Sequence, residues 1–175
     1  MFPPDTKTRN KSIEEIKNKY KGKISQNSWG NTLIFEVDGT ELELAFDSDN
    51  GFGLYCTDII SKRKDNRFSF NIFTMDMADK IFYWFFKKGV KTQHKKFNSI
   101  FHVESNNSLR LALLLNYSTC ELLIDMLKIN DSYRLFVDTV GEKTRIRLFT
   151  WILEIDKLEQ FIDSSVRVIK AINTR

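Results

Sequence analysis

Apolar residues alternate with polar ones at several places in the chain, as is typical of β-strands whose two faces meet different surroundings. The clearest case is the pair of segments 33–37 and 42–46, which place Leu, Phe or Val at every second position. Asp38 and Gly39 lie between them, and this dipeptide is typical of a two-residue hairpin turn. The same alternation, or a short apolar run, predicts further strands at 54–60, 68–72, 100–103, 133–137 and 146–148.

Helical periodicity and capping signals predict helices between these strands. Three capping boxes begin with Ser12, Ser118 and Asp156, each followed three residues later by Glu. The last of them opens a long helix whose apolar side consists of Leu158, Phe161, Ile162, Val166, Ile169 and Ile172.

The segment 76–88 contains the aromatic run IFYWFF, yet its spacing is that of an amphipathic helix ending near Gly89. Ala78, Ile81, Phe82, Phe85 and Phe86 are predicted to share the inward side.

Residues 97–115, FNSIFHVESNNSLRLALLL, combine a short apolar strand with a helix. Ser105 is the predicted N-cap. Leu109, Ala112 and Leu113 recur at helical spacing, so they are predicted to face the core.

This segment resembles a bacterial domain family of unknown function. In that family a Phe-x-x-x-Phe-x-Val strand leads through Ser and Asn into a helix that carries Ala-Leu-Leu, and the similarity extends from Phe68 to Val137. The resemblance implies no activity. Relatives often carry transmembrane segments ahead of the domain, whereas the longest wholly apolar run here, Ile81–Phe86, is far shorter than the roughly 20 residues needed to span a bilayer.

Together these elements predict the α+β class. We expect a mainly antiparallel sheet of about seven strands, with helices packed on one face and a long C-terminal helix. Residues 1–30 are expected to form a basic segment with a short helix, and residues 31–175 a single domain. The order of elements is also similar to helix-grip folds, which can enclose an apolar cavity.

Charge is distributed unevenly along the chain. Residues 31–60 contain seven acidic residues and no Lys or Arg, whereas residues 61–100 contain ten basic and three acidic residues. Neighbouring strands can neutralise one another, or the two signs can lie on opposite faces and steer a charged partner. The sequence leaves both interpretations open.

No catalytic constellation is evident, and we expect neither enzymatic activity nor a cofactor. His94 lies among lysines and is expected to be an exposed loop residue, and His102 is expected to face away from Phe101 and Val103. Cys56 and Cys120 are far apart in sequence and are expected to be buried thiols. Four acidic residues, Glu41, Glu43, Asp47 and Asp49, have ligand chemistry for a divalent cation but no binding-loop pattern, so no metal site is expected.

Basic residues in the segment 62–96 are the candidate binding site. They are Lys62, Arg63, Lys64, Lys87, Lys88, Lys91, Lys95 and Lys96. We expect a non-catalytic, cytoplasmic interaction module that binds another protein through this charged surface, as an adaptor or immunity protein does.

Two alternatives remain open. An apolar ligand would suit the fifteen phenylalanines, and a nucleic acid would suit the basic segment, with Trp84 and Phe97 as stacking faces.

Overall fold

The computed structural model describes residues 6–27, 30–49, 54–63, 65, 67–86 and 89–173. Its helices are α1 (Thr6–Tyr20), α2 (Met77–Phe86), α3 (Lys95–Ile100), α4 (Ser108–Leu114), α5 (Tyr117–Met126) and α6 (Ile155–Asn173), with a short 3₁₀ turn at Ile129–Asp131. Its strands are β1 (Lys23–Asn27), β2 (Gly30–Val37), β3 (Thr40–Asp49), β4 (Leu54–Lys62), β5 (Phe70–Thr74), β6 (Phe101–Ser105), β7 (Leu135–Val140) and β8 (Lys143–Leu148).

These strands form one antiparallel sheet in the order β1-β2-β3-β4-β8-β7-β5-β6. The predicted hairpin joins β2 to β3, and the turn residues Asp38 and Gly39 both have positive φ, at 50° and 73°. The α+β class, the antiparallel sheet and the long C-terminal helix are therefore confirmed. The described residues form eight strands rather than about seven, because β1 (KISQN) lacks the apolar alternation that marks the other strands.

The core lies between one face of the sheet, the inner face, and the helices. Every predicted apolar position of α6 is buried there, from Leu158 to Ile172. Ile13 and Ile16 of α1 belong to the same core, and β1 pairs with β2 along its length. Residues 6–27 are thus packed into the same unit as the rest of the described chain.

The predicted start of α1 at Ser12 is wrong. The helix begins at Thr6, and Ser12 lies inside it, where its Oγ is 3.0 Å from the Thr8 carbonyl and 2.8 Å from the Leu153 carbonyl, which share its one hydroxyl hydrogen. A mid-helix serine that reaches a carbonyl on another segment joins α1 to the chain entering α6. Local spacing cannot reveal such a tertiary role.

Three other caps are also displaced from their predicted positions, and one of them is Asp156, which lies in the first turn of α6 rather than ahead of it. Asn107 caps α4 by accepting from the Arg110 N–H, and Asn116 caps α5 by accepting from the Thr119 N–H. The predictions of Ser105 and Ser118 for these two N-caps are wrong. Asn is as good an N-cap as Ser, so the nearby asparagines compete successfully.

In the part of the chain that the structure describes, no helix has the length and apolar character needed to cross a membrane.

Candidate interaction surface

The structure separates the basic residues that the sequence grouped together. Lys62 ends β4 and Arg63 follows it, whereas Lys91, Lys95 and Lys96 precede or begin α3. Lys64, Lys87 and Lys88 lie outside the described residues.

The two described groups lie on different parts of the sheet. Lys62 pairs with Lys143 at one end of β4, while the N–H of Val90 donates to the Val103 carbonyl along the edge of β6. Four strand spacings, or about 19 Å, separate β4 from β6. The five described residues therefore do not form one continuous basic patch.

Lys62 and Arg63 are already engaged. Lys62 lies 3.8 Å from Glu41, and the Arg63 guanidinium donates to the Gly141 carbonyl at 3.4 Å, with burial lowering the pKa of Arg63. Lys62 also lines an open cleft of about 400 Å³ between the β2–β3 hairpin and the end of α6, where Lys170 lies 3.2 Å from Asp38. The charges at this end of the sheet largely satisfy one another.

Lys91, Lys95 and Lys96, the basic triplet, are different. All three are exposed, and within the described ranges none of them forms an ion pair. The loop that carries Lys91 is fixed, because the Asn98 side chain accepts from both the N–H and the hydroxyl of Thr92 at 3.0 Å and donates to its carbonyl at 2.7 Å. This anchoring presents free positive charge on an ordered segment.

Three large apolar side chains are exposed on the neighbouring helices. Leu109 is 80% exposed, Leu113 75% and Tyr117 70%, and we call them the apolar triplet. Leu109 and Leu113 lie one turn apart on α4, and Tyr117 begins α5. Grouped exposed apolar side chains, unlike single scattered ones, mark interaction sites.

The prediction that Leu109 and Leu113 face the core is therefore wrong. The buried residues are Leu111, Leu114 and Leu115. The sequence SLRLALLL is apolar on more than one side, so helical spacing fits either set and does not decide between them. This helix contains more leucines than one face can bury, and that excess indicates that some of them are exposed.

His94 connects the apolar and basic triplets. Its Nδ1 accepts the Phe97 N–H at 3.1 Å, which makes it the N-cap of α3, and its Nε2 lies 2.5 Å from Glu121 Oε1 on α5. The His94 ring centroid is 4.5 Å from that of Tyr117. The expectation of an exposed loop histidine is wrong, because the neighbouring lysines point to solvent while the ring holds α3 against α5.

Cys120 lies beside this contact but is poorly suited to nucleophilic chemistry. Its Sγ lies 3.4 Å from the Leu115 carbonyl and 3.9 Å from Thr92 Oγ1, and burial raises the pKa of the thiol. Reactive cysteines have a lowered pKa and access to solvent. Both ring nitrogens of His94 are engaged, so His94 is not placed to act as a base for Cys120. Both cysteines are free and buried, as expected.

The face of the sheet opposite to the inner face, the outer face, carries most of the ion pairs formed by the described acidic residues of segment 31–60. The basic partners in these pairs belong to β8 and not to residues 61–100. Arg147 donates two hydrogen bonds of 2.7 Å to Asp58 and one of 2.9 Å to Asp47, and Lys143 lies 2.6 Å from Glu43. Burial raises the pKa of the Asp58 carboxyl against the opposing effect of Arg147, and the hydrogen bonds to Asp58 raise the pKa of Arg147. Neutralisation across neighbouring strands thus occurs on this face, but with β8 rather than with the basic segment 61–100 that the first interpretation named.

His102 lies on the outer face, opposite to Phe101 and Val103, as predicted. It is buried, with its ring centroid 5.3 Å from that of Phe73 and its Nε2 3.3 Å from Glu104. Phe97, proposed as a stacking face for nucleic acid, is fully buried against Phe101, with ring centroids 4.6 Å apart. Trp84, the other predicted stacking face, has a side chain that lies outside the part of the chain that the structure describes.

Comparison of the chain with protein-family models, with curated proteins and with solved structures gave no match. The function is therefore inferred from the chemistry of the surface itself. That surface, carried by α3, α4 and α5, combines exposed apolar side chains, free lysines and internal hydrogen bonds from His94 to α3 and α5.

Proposed function

We propose that this chain is a non-catalytic interaction module, of the adaptor or immunity kind, that binds another protein through the surface formed by the apolar and basic triplets. The observation that carries the proposal is the exposure of Leu109, Leu113 and Tyr117 on two consecutive helices. The basic triplet belongs to the charged segment that the sequence indicated, and the apolar triplet adds the contact area that charge alone lacks.

The energetics support an apolar contact assisted by charge. Covering an exposed leucine side chain contributes roughly 1.5–3 kcal/mol, whereas an exposed ion pair contributes about 0–1 kcal/mol. The two leucines and Tyr117 would therefore supply most of the affinity, since aromatic residues are frequent anchors of protein interfaces. The lysines would mainly steer the partner and set its orientation.

The internal packing of this surface supports recognition rather than catalysis. His94 has no free ring nitrogen, Glu121 is bonded to it, and the Cys120 thiol is buried with a raised pKa. These groups hold the helices in place. A partner would meet a surface that is already formed, which lowers the entropy cost of binding.

A comparative affinity purification tests the proposal. The full chain, the triple variant Leu109→Ser, Leu113→Ser, Tyr117→Ser and a control variant would each be used to capture proteins from a lysate of the native cell, with and without nuclease treatment. The control is Met77→Ser, Ile81→Ser, which removes two other exposed apolar side chains, at α2, where the prediction that Ile81 faces inward is wrong. We expect a discrete protein that the wild type and the control retain and the triple variant loses.

Equal recovery by the triple variant, with circular dichroism showing that it is folded, would contradict the proposal. Material that disappears on nuclease treatment would favour the nucleic-acid alternative instead. An apolar small molecule carried by the purified chain in native mass spectrometry would favour the ligand-binding alternative.

A further inference from the structure

The charges around the apolar triplet are unbalanced. Glu121 is bonded to His94, and Asp125, one turn further along α5, lies 2.6 Å from Lys128. The three lysines of the basic triplet have no acidic partner in the described part of the chain. The charge left free for a partner on this surface is therefore positive.

The apolar side chains have the spacing of a helix ridge. Leu109 and Leu113 are four residues apart on α4, which corresponds to a rise of about 6 Å. Such ridges pack into the grooves of another helix, and an amphipathic helix is a common ligand of exposed apolar surfaces. Tyr117 lengthens the surface towards His94, which directly precedes Lys95 and Lys96. Of the apolar triplet, Tyr117 is thus the residue whose contact with the basic segment the structure shows.

The surface suits a protein better than an anionic membrane. Tyr117, Glu121 and Asp125 follow one another at four-residue spacing and share one side of α5. A lipid surface that covered Tyr117 would extend over this whole side of α5 and bury the paired Glu121 and Asp125 as well. A helix of a protein partner covers a narrower area than a lipid surface does. Its acidic residues can therefore contact the basic triplet alone.

We propose that the partner binds through an acidic amphipathic helix, whose apolar side covers the apolar triplet and whose carboxylates meet the basic triplet. This inference rests on the proposed function and specifies its partner.

Two designed peptides test the charge preference directly. Each is a helix of about 18 residues, long enough to be partly helical in solution, with leucines along one side. The other positions are mainly Glu in one peptide and mainly Lys in its counterpart. Each is titrated into the ¹⁵N-labelled full chain, and amide chemical shifts report both the affinity and the position of binding.

We expect the acidic peptide to bind about tenfold more tightly than the basic one at low salt, which corresponds to three exposed charge pairs. The shifts should centre on residues 91–96 and 109–121, and the preference should shrink at high salt. The variant Lys91→Glu, Lys95→Glu, Lys96→Glu should reverse the preference. Leu113→Ser should weaken the binding of both peptides.

The outcomes separate this inference from the proposed function. Equal binding of both peptides at the apolar triplet would overturn the acidic partner while leaving a protein-binding surface in place. Failure of both peptides to perturb residues 109–117 would also overturn it, and the comparative purification would then decide the proposed function independently. Binding to phosphatidylserine vesicles that requires Leu113, with no response to either peptide, would overturn the inference in favour of a lipid surface.

Discussion

Leu111 and Leu113 provide a matched test of whether the exposed leucines serve folding or binding. Both lie in α4, two residues apart, and Leu111 is fully buried whereas Leu113 is 75% exposed. The same substitution, Leu→Ala, changes helix propensity equally at both positions. Any difference in stability therefore reports packing alone.

The expected magnitudes follow from these exposures. Leu111→Ala removes a fully buried side chain and should lower the free energy of unfolding by about 3 kcal/mol, within the usual range for a core leucine. Leu113 has only a quarter of its side chain in contact with the protein, so its loss should cost about 0.5 kcal/mol, a quarter of the value for complete burial. The two variants should differ by about 2.5 kcal/mol.

Urea denaturation followed by circular dichroism measures this difference. The midpoint should fall clearly for Leu111→Ala and barely for Leu113→Ala, with the slope unchanged in both. A loss of 2 kcal/mol or more for Leu113→Ala would refute the reasoning, because Leu113 would then be a structural residue. The exposure of the apolar triplet would then no longer support a binding surface for a partner.

Three further predictions concern the scaffold. Hydrogen bonds from Arg110 and from the backbone lower the pKa of Asp65 to about 2. The stabilisation from the Asp65–Arg110 pair should therefore be complete above pH 3.8 and lost as the pH falls towards 2. Arg110→Ala should raise the pKa of Asp65 in a carboxyl NMR titration, and an unchanged pKa would contradict this. Arg147→Ala should cost about 3–5 kcal/mol in urea denaturation, because it leaves Asp58 buried without its cation; a loss below 1 kcal/mol would show that water replaces the arginine. Gly39→Ala should cost roughly 1 kcal/mol from backbone strain alone, since φ is +73° and a Cβ there meets no atom within 4 Å; an unchanged midpoint would show that the turn relaxes.

Where one face of an element is apolar and the other polar, the sequence was sufficient to predict the fold. The α6 stripe from Leu158 to Ile172 and the β2–β3 hairpin both followed from periodicity, because each has a single solution that buries its apolar side. Strand β1 is not predicted from the sequence, because KISQN is almost wholly polar. The strand is held in the sheet by its pairing with β2. Pairing of that kind is a tertiary effect.

The candidate surface was less accessible from the sequence. Lys91, Lys95 and Lys96 were identified by charge, but grouping them with Lys62 and Arg63 assumed a proximity that the strand order does not provide. Helical spacing places Leu109 and Leu113 in the core, because spacing alone cannot choose between two apolar sides. The role of His94 depends on Glu121 and Tyr117, which lie more than twenty residues away in sequence and meet it only in the folded chain.

Photo-crosslinking in the native cell tests the central claim most directly. A photoreactive residue at position 113 would be compared with one at Glu36, an exposed position on β2. We expect a discrete, nuclease-resistant protein adduct from position 113 that is absent from position 36 and is weakened by Lys95→Glu, Lys96→Glu. The same adducts from both positions, or none from position 113 when the chain is folded and expressed at its natural level, would contradict it.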